Sequence, residues 1–162
     1  MTGATLVVGL GRRDRADDGI GPGVVDVVSS RVPVGSGVRV VTEEDPAGLL
    51  DLWDGHDHVA LVDAVVTGAT PGTVHRFDVG AASPPLPGRL ETQTALGGTH
   101  AFGLATAVEL GRALHRLPRV LVVVGVEAAC VEVGAALSAS VAAAVEPATA
   151  LVLEEVATHV PG

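Results

Sequence analysis

Short apolar runs alternate with longer segments along this chain. Four Val/Leu-rich runs lack the period-two alternation of half-exposed strands, which favours strands buried on both faces of a sheet. They are Thr5–Leu10, Val38–Thr42, Val59–Val66 and Val120–Val126. A fifth run, Thr73–Asp78, alternates and follows a Pro-Gly pair, so we predict an edge strand there.

Helix-length segments lie between these runs. We predict helices over Gly19–Ser30, Ala47–Trp53, Thr99–Leu114 and Ser138–Thr158, the last interrupted by Pro147. Asp17 and Asp18 are predicted to cap the first helix. Strand–helix alternation with buried strands predicts an α/β, three-layer sandwich around a mostly parallel sheet. The segment Gly80–Gly98 is predicted to be a long surface loop within one domain spanning residues 1–162.

Composition excludes several classes of protein. The chain has 162 residues, and its 10 cationic residues, all arginine, against 19 acidic ones give a net charge of 10 − 19 = −9. An acidic chain with 2% aromatic residues is a poor nucleic-acid binder. The absence of lysine excludes Schiff-base and P-loop lysine chemistry. Hydrophobic residues make up 48%, enough for a sizeable core.

The single cysteine, Cys130, excludes an internal disulfide and is interpreted as a small packing group. No basic region precedes the first apolar run, so no signal peptide is predicted. The apolar runs are too short to span a bilayer. We therefore expect a cytoplasmic, monomeric protein without membrane contacts.

Three polar residues are predicted to meet at one edge of the sheet. Asp18 follows the first strand, Asp63 lies inside the third, and His100 begins a helix. Ligands bind beyond the carboxyl ends of parallel strands, and two carboxylates with an imidazole form an open divalent-metal site. Each residue also has a structural alternative: a helix cap for Asp18, a paired strand charge for Asp63, and a packed neutral histidine for His100.

Other polar residues are given weaker interpretations. Glu127 either supports that site or simply ends a strand. The arginines Arg12, Arg13 and Arg15 form a positive patch that is either a solvated loop or a dock for an acidic partner segment. Solvated positions are predicted for His56, His58 and His75, and a frayed tail for His159. Gly9-x-Gly11 suggests a dinucleotide loop, but Asp14 occupies the third glycine position.

Taken in order, several segments resemble the [NiFe]-hydrogenase maturation proteases (peptidase family M52). They are Val7-Val-Gly-Leu-Gly-Arg-Arg-Asp-Arg-Ala-Asp-Asp-Gly-Ile-Gly21, Glu44-Asp-Pro-Ala-Gly-Leu-Leu-Asp-Leu-Trp53, Leu61-Val-Asp-Ala-Val65, Thr99-His-Ala-Phe-Gly-Leu104, and Val124-Gly-Val-Glu127 followed by Gly134, Leu137 and Ser138. The resemblance covers nearly the whole chain. Two positions depart from the family pattern: Arg12 replaces an asparagine and Pro46 replaces a glycine.

The resemblance implies a twisted five-stranded sheet of the phosphorylase/hydrolase-like type. It also implies an endopeptidase that removes the C-terminal tail of a hydrogenase large-subunit precursor after nickel insertion. The family's metal-contacting residues fall on Asp18, Asp63 and His100, which are also predicted to be the catalytic residues. Nickel is expected to arrive with the substrate, and zinc or cadmium to occupy the site in vitro.

The mechanism and two rival functions stay open at this stage. No Ser-His or Cys-His pair is evident, so a metal-polarised carbonyl or a metal-activated water is favoured over an acyl-enzyme. Asp17 either orients that water or caps the helix, and we favour the cap. The alternatives are a non-catalytic assembly chaperone that binds the nickel-loaded subunit and a dinucleotide-binding oxidoreductase.

Overall fold

The computed structural model describes residues 4–84, 103–129 and 134–159. Its five strands are β1 (Thr5–Leu10), β2 (Val38–Glu43), β3 (His58–Val65), β4 (Val74–Asp78) and β5 (Val120–Glu127). Its α-helices are α1 (Ile20–Arg31), α2 (Leu49–Trp53), α3 (Leu104–Ala113) and α4 (Ala139–His159). Two 3₁₀ turns, Ala16–Gly19 and Pro46–Gly48, precede α1 and α2.

The sheet has the order β2-β1-β3-β5-β4. The first four strands in that order run parallel, and β4 pairs antiparallel with β5 at an edge. The α/β prediction and the edge position of β4 are therefore confirmed. The prediction that β2 is buried on both faces is wrong, because β2 forms the other edge and its residues are half-buried or exposed.

Two apolar layers enclose the sheet. Helices α1 and α4 cover one face through a layer rich in valine and alanine. Helices α2 and α3 cover the other through leucine, valine and Trp53, whose indole N–H donates to the carbonyl of Arg116 at 2.9 Å. Side chains alternate between faces along a strand, so the central strands β1 and β3 are buried throughout.

Several local predictions need correction. Helix α4 continues through Pro147 without interruption, because the alanines and valines on either side remain packed against the sheet. The Asp17-Asp18 pair does not cap α1: it lies in the preceding 3₁₀ turn, and the cap position, Gly19, has no side chain to bond.

The histidine predictions also need revision. His58 was expected to be solvated but is only 3% exposed at the start of β3. His159 ends α4, and its ring stacks on that of His58. Positions 99–102 of the third predicted helix, most of the predicted loop Gly80–Gly98, and Cys130 lie outside the described residues.

Candidate active site

The segment after β1 folds back tightly on itself at Gly11. This residue has φ +131°, a conformation that side chains rarely adopt, and a Cβ there would overlap the backbone oxygen of Asp18. The next residue, Arg12, donates its backbone N–H to Asp18 Oδ2 at 2.9 Å. The turn therefore fixes Asp18 through the backbone and leaves Oδ1 beside the glycine.

Two further glycines let α1 start directly against the sheet. A Cβ on Gly21 would lie 2.7 Å from the carbonyl oxygen of Val62 and would overlap that of Leu10. A Cβ on Gly9 would lie 2.5 Å from the carbonyl oxygen of Gly21. Close packing of helix on strands accounts for the Gly9-x-Gly11 pattern that suggested a dinucleotide loop.

Asp63 lies near the carboxyl end of β3, opposite Gly125 of β5. Its neighbours Leu61 and Val59 belong to the layer under α2 and α3, so alternation places Asp63 on that face. The side chain is buried, since Asp63 is only 7% exposed. Burial and the charge of Asp18 raise the pKa of Asp63 well above its ordinary value, against a backbone hydrogen bond with Ala64.

Asp18 lies in the turn before α1 and is only half-buried. Burial raises its pKa above the ordinary value, although the Arg12 N–H bond and the charge of Arg15 act in the opposite direction. The two carboxylates come from elements that pack against each other, the turn before α1 and β3, and the charge of Asp18 contributes to the raised pKa of Asp63. His100 lies outside the described residues, and the predicted trio remains a prediction.

Asp17 does not cap α1. It is fully buried, and its carboxylate accepts hydrogen bonds from the backbone N–H groups of Ala129 and Ser138 at 2.8 and 2.7 Å. The Ser138 hydroxyl lies 3.0 Å from it. The favoured interpretation of Asp17 as a helix cap is therefore wrong: it ties the turn before α1 to the segment that leads into α4.

Glu127 has a similar supporting role at the end of β5. It is 1% exposed and accepts hydrogen bonds from the backbone N–H groups of Thr67 and Ala69 at 2.8 to 3.0 Å, and from the Thr67 hydroxyl. His75 Nε2 lies 3.7 Å from its carboxylate. Glu127 thus holds the loop between β3 and β4 in place, next to the carboxyl end of β3 where Asp63 lies.

The arginine patch is largely neutralised. Arg12 pairs with Asp14 at 2.9 Å and Arg13 pairs with Asp26 at 2.5 Å. These arginines also line a groove of about 240 Å³. Its lining residues are Gly11, Arg12, Arg13, Asp14, Pro22, Thr42 and Glu44. The groove reaches the Asp18 site through Arg12 and carries charges of both signs.

The donor set fits a divalent cation. Burial is the largest cause that raises the pKa values of Asp18 and Asp63, and a bound cation would offset the cost of burying two carboxylates. Gly11 also keeps space for a cation, because a Cβ there would come within 3.2 Å of Asp18 Oδ1, the oxygen that would bind it.

Sequence reasoning missed one polar cluster of the described chain. His58, Glu155 and His159 each have a ligand atom within 4.8 Å of the others. Arg76 is also paired with Glu155. No spacing in the sequence marks this cluster, since the two histidines are about a hundred positions apart and α4 contains three glutamates.

Comparisons with known proteins agree on one family. The HycI family model, described as hydrogenase maturation protease, matches residues 44–155. No match was found among curated proteins. None of the helices in the described part of the chain is both long and apolar enough to cross a bilayer.

Solved structures extend the match to almost the whole chain. The hydrogenase-maturating endopeptidase HybD from E. coli is 26% identical, with 95% of this chain and 92% of that chain covered and a TM-score of 0.72. A hydrogenase 2 maturation peptidase from a Thaumarchaeota archaeon is 30% identical, with 93% and 95% covered and a TM-score of 0.63.

A more distant structure supports the fold alone. The [NiFe] hydrogenase maturation protease HybD from Thermococcus kodakarensis is 20% identical, with 93% of this chain and 97% of that chain covered and a TM-score of 0.66. The family match, the two nearer structures and the sheet topology agree, and the chain belongs to the hydrogenase maturation protease family.

Proposed function

We propose that this chain is an endopeptidase that removes the C-terminal tail of a [NiFe]-hydrogenase large-subunit precursor after nickel insertion. The observation that carries the proposal is that two carboxylates with raised pKa values, Asp18 and Asp63, lie beyond the end of β1 and near the carboxyl end of β3 in a chain of this family. Nickel belongs to the substrate in this proposal, and the protein contributes an incomplete set of ligands to it.

The residues of the chain have distinct tasks in this proposal. Asp18, fixed by the Arg12 N–H, and Asp63, whose pKa is raised by burial, would each offer a carboxylate oxygen to the cation. His100 would add a neutral nitrogen ligand. It lies three positions before Gly103, the N-cap of α3, whose buried residues pack on the sheet face that Asp63 shares.

A divalent cation bound there would polarise the scissile carbonyl or lower the pKa of a water molecule. The protein's own contribution is to place two carboxylates in a partly buried position at the carboxyl ends of the strands, where their interaction with a cation is stronger than in water. Asp17 acts at a distance from the reaction, because it holds the segment beside Asp18 in place.

The test is the intact mass of a candidate precursor, with and without nickel, after incubation with this protein. We expect loss of the tail only from the nickel-loaded precursor. Asp18→Asn, Asp63→Asn and His100→Gln should each lower processing by at least about 10²-fold, in the range expected for loss of a catalytic group.

The matched control is Asp51→Asn, an exposed carboxylate on α2 whose side chain is 90% accessible. It should process the precursor like the wild type. Normal tail removal by the three site variants would contradict the proposed site. Tight binding of the nickel-loaded precursor without any cleavage would instead select the assembly chaperone.

A further inference from the structure

A histidine–glutamate cluster lies at the amino ends of the parallel strands, at the opposite end of the sheet from the candidate active site. His58 begins β3, whereas Asp63 lies five residues further along the same strand, about 16 Å away at the usual rise of a strand. Glu155 and His159 lie on the last turns of α4. The cluster therefore joins the start of a central strand to the end of the longest helix.

The spacing of its ligand atoms suits a small divalent metal ion. His58 Nε2 lies 3.5 Å from Glu155 Oε2, and the ligand atoms of all three residues lie within 4.8 Å of one another. Nitrogen and oxygen ligands at 2.0 to 2.2 Å from a tetrahedral zinc ion are about 3.4 Å apart. The first pair already has that separation.

Among the residues that the structure describes, the buried Nε2 of His58 has no hydrogen-bond partner. The residue is 3% exposed, the nearest carboxylate oxygen, Glu155 Oε2, lies 3.5 Å from Nε2, and Thr5 Oγ1 lies 3.5 Å from Nδ1. Burial and the neighbouring His159 lower the pKa of His58, against the hydrogen bond and the charge of Glu155, which raise it. An orphan buried nitrogen of this kind needs an explanation.

Two neighbours shape what the cluster can bind. Arg76 pairs with Glu155 Oε1 and with Asp78 at 3.3 Å, which leaves Glu155 Oε2 facing His58. The ring of His159 stacks on His58 with 3.6 Å between centroids. Its Nδ1 contacts Thr158 Oγ1 and the Glu155 carbonyl, so Nε2 is the nitrogen left to act as a ligand.

We propose a second metal site at this end of the sheet, formed by His58, Glu155 and His159 and selective for a zinc-like divalent transition metal. Two imidazole nitrogens and one carboxylate oxygen are ligands that suit zinc, with solvent in the fourth position. His159 must turn out of the stack, because imidazole binds metals in the plane of its ring. The ion clamps the end of α4 to the start of β3 and stabilises the fold by binding only the native state.

The experiment uses the untagged full-length protein, stripped with EDTA and then dialysed against zinc. Bound zinc is measured by elemental analysis, and the melting temperature is recorded with and without the metal. His159→Gln removes one ligand at the helix end and should bind one zinc ion fewer than the wild type, with loss of most of the zinc-induced rise in melting temperature.

Two further variants make the result specific. His115→Asn is the matched control, because His115 is exposed and has φ +54°, which asparagine tolerates; it should bind as much zinc as the wild type. Asp63→Asn removes a ligand of the candidate active site at the other end of the sheet, and this variant should keep one zinc ion. X-ray absorption of that ion should show two imidazole ligands.

The proposal is overturned if His159→Gln binds as much zinc as the wild type with the same rise in melting temperature. It is equally overturned if the zinc ion retained by Asp63→Asn shows only oxygen ligands. These results are independent of precursor cleavage, so they test the second site whether or not the endopeptidase assignment holds.

Discussion

Asp63 illustrates a conflict between stability and function at a single residue. An ionisable group inside an apolar strand costs free energy when charged, and here the charge of Asp18 adds to the cost. The folded protein therefore holds the Asp63 proton more tightly than the unfolded chain does. Between the two pKa values the native state binds more protons, so the free energy of unfolding falls as pH rises.

We expect Asp63→Asn to stabilise the metal-free protein at pH 7 while abolishing precursor processing. The gain should be about 1 kcal/mol, a common size when an unfavourable functional group is replaced, or a rise of about 2–4 °C in melting temperature. Below the unfolded-state pKa of about 3.9 both states are protonated and the difference should vanish.

Thermal unfolding in EDTA across pH 3.5 to 7.5 measures this dependence, with Asp51→Asn as the control for loss of an exposed carboxylate. A variant that is less stable than the wild type at pH 7, or whose melting temperature differs from that of the wild type by the same amount at every pH, would show that Asp63 is a structural residue with favourable partners.

At the scale of elements, the contact between α1 and the ends of β1 and β3 decides where Asp18 lies. The helix starts so close to the strands that only glycine fits at position 21. Position 23, on the same helix, has open space around its Cα. The two glycines therefore serve different purposes, although the sequence shows them only two residues apart.

This difference predicts opposite effects of the same substitution. Gly21→Ala should destabilise the protein by about 3 kcal/mol or more, because the new methyl group meets backbone atoms in a packed layer. Gly23→Ala should stabilise it by about 0.5–1 kcal/mol through helix propensity. Urea unfolding of both variants provides the measurement, and equal effects in the two would refute the close-packing argument.

Across the whole molecule, burial is concentrated in the centre of the sheet. The strands β1, β3 and β5 lie between both helical layers, whereas β2 and β4 form edges with half-exposed residues. Local opening is easiest where few apolar contacts must be broken. The folded chain should therefore open from the edges of the sheet inward.

Native-state hydrogen exchange tests this order. We expect amides of β1, β3 and β5 to exchange only through global unfolding, and amides of β2 and β4 to exchange through smaller openings with a lower free energy. Adding zinc to the EDTA-treated protein serves as an internal comparison for the last turns of α4. Uniform protection across all five strands would contradict the edge-first order.

The pattern of apolar runs determined the class of fold and the bounds of all five strands to within one residue, because central parallel strands require continuous hydrophobic residues and edge strands alternate or are partly exposed. It also singled out Asp63 as a candidate site residue, since a carboxylate inside such a run stands out in one dimension. The sequence alone could not place Asp17 or His58. Their partners are Ser138 and Glu155, each about a hundred positions away, and no periodicity encodes such a contact. Only the tertiary structure decided that one is an anchor between segments and the other a buried histidine beside a glutamate, because burial and pairing depend on which distant surfaces meet.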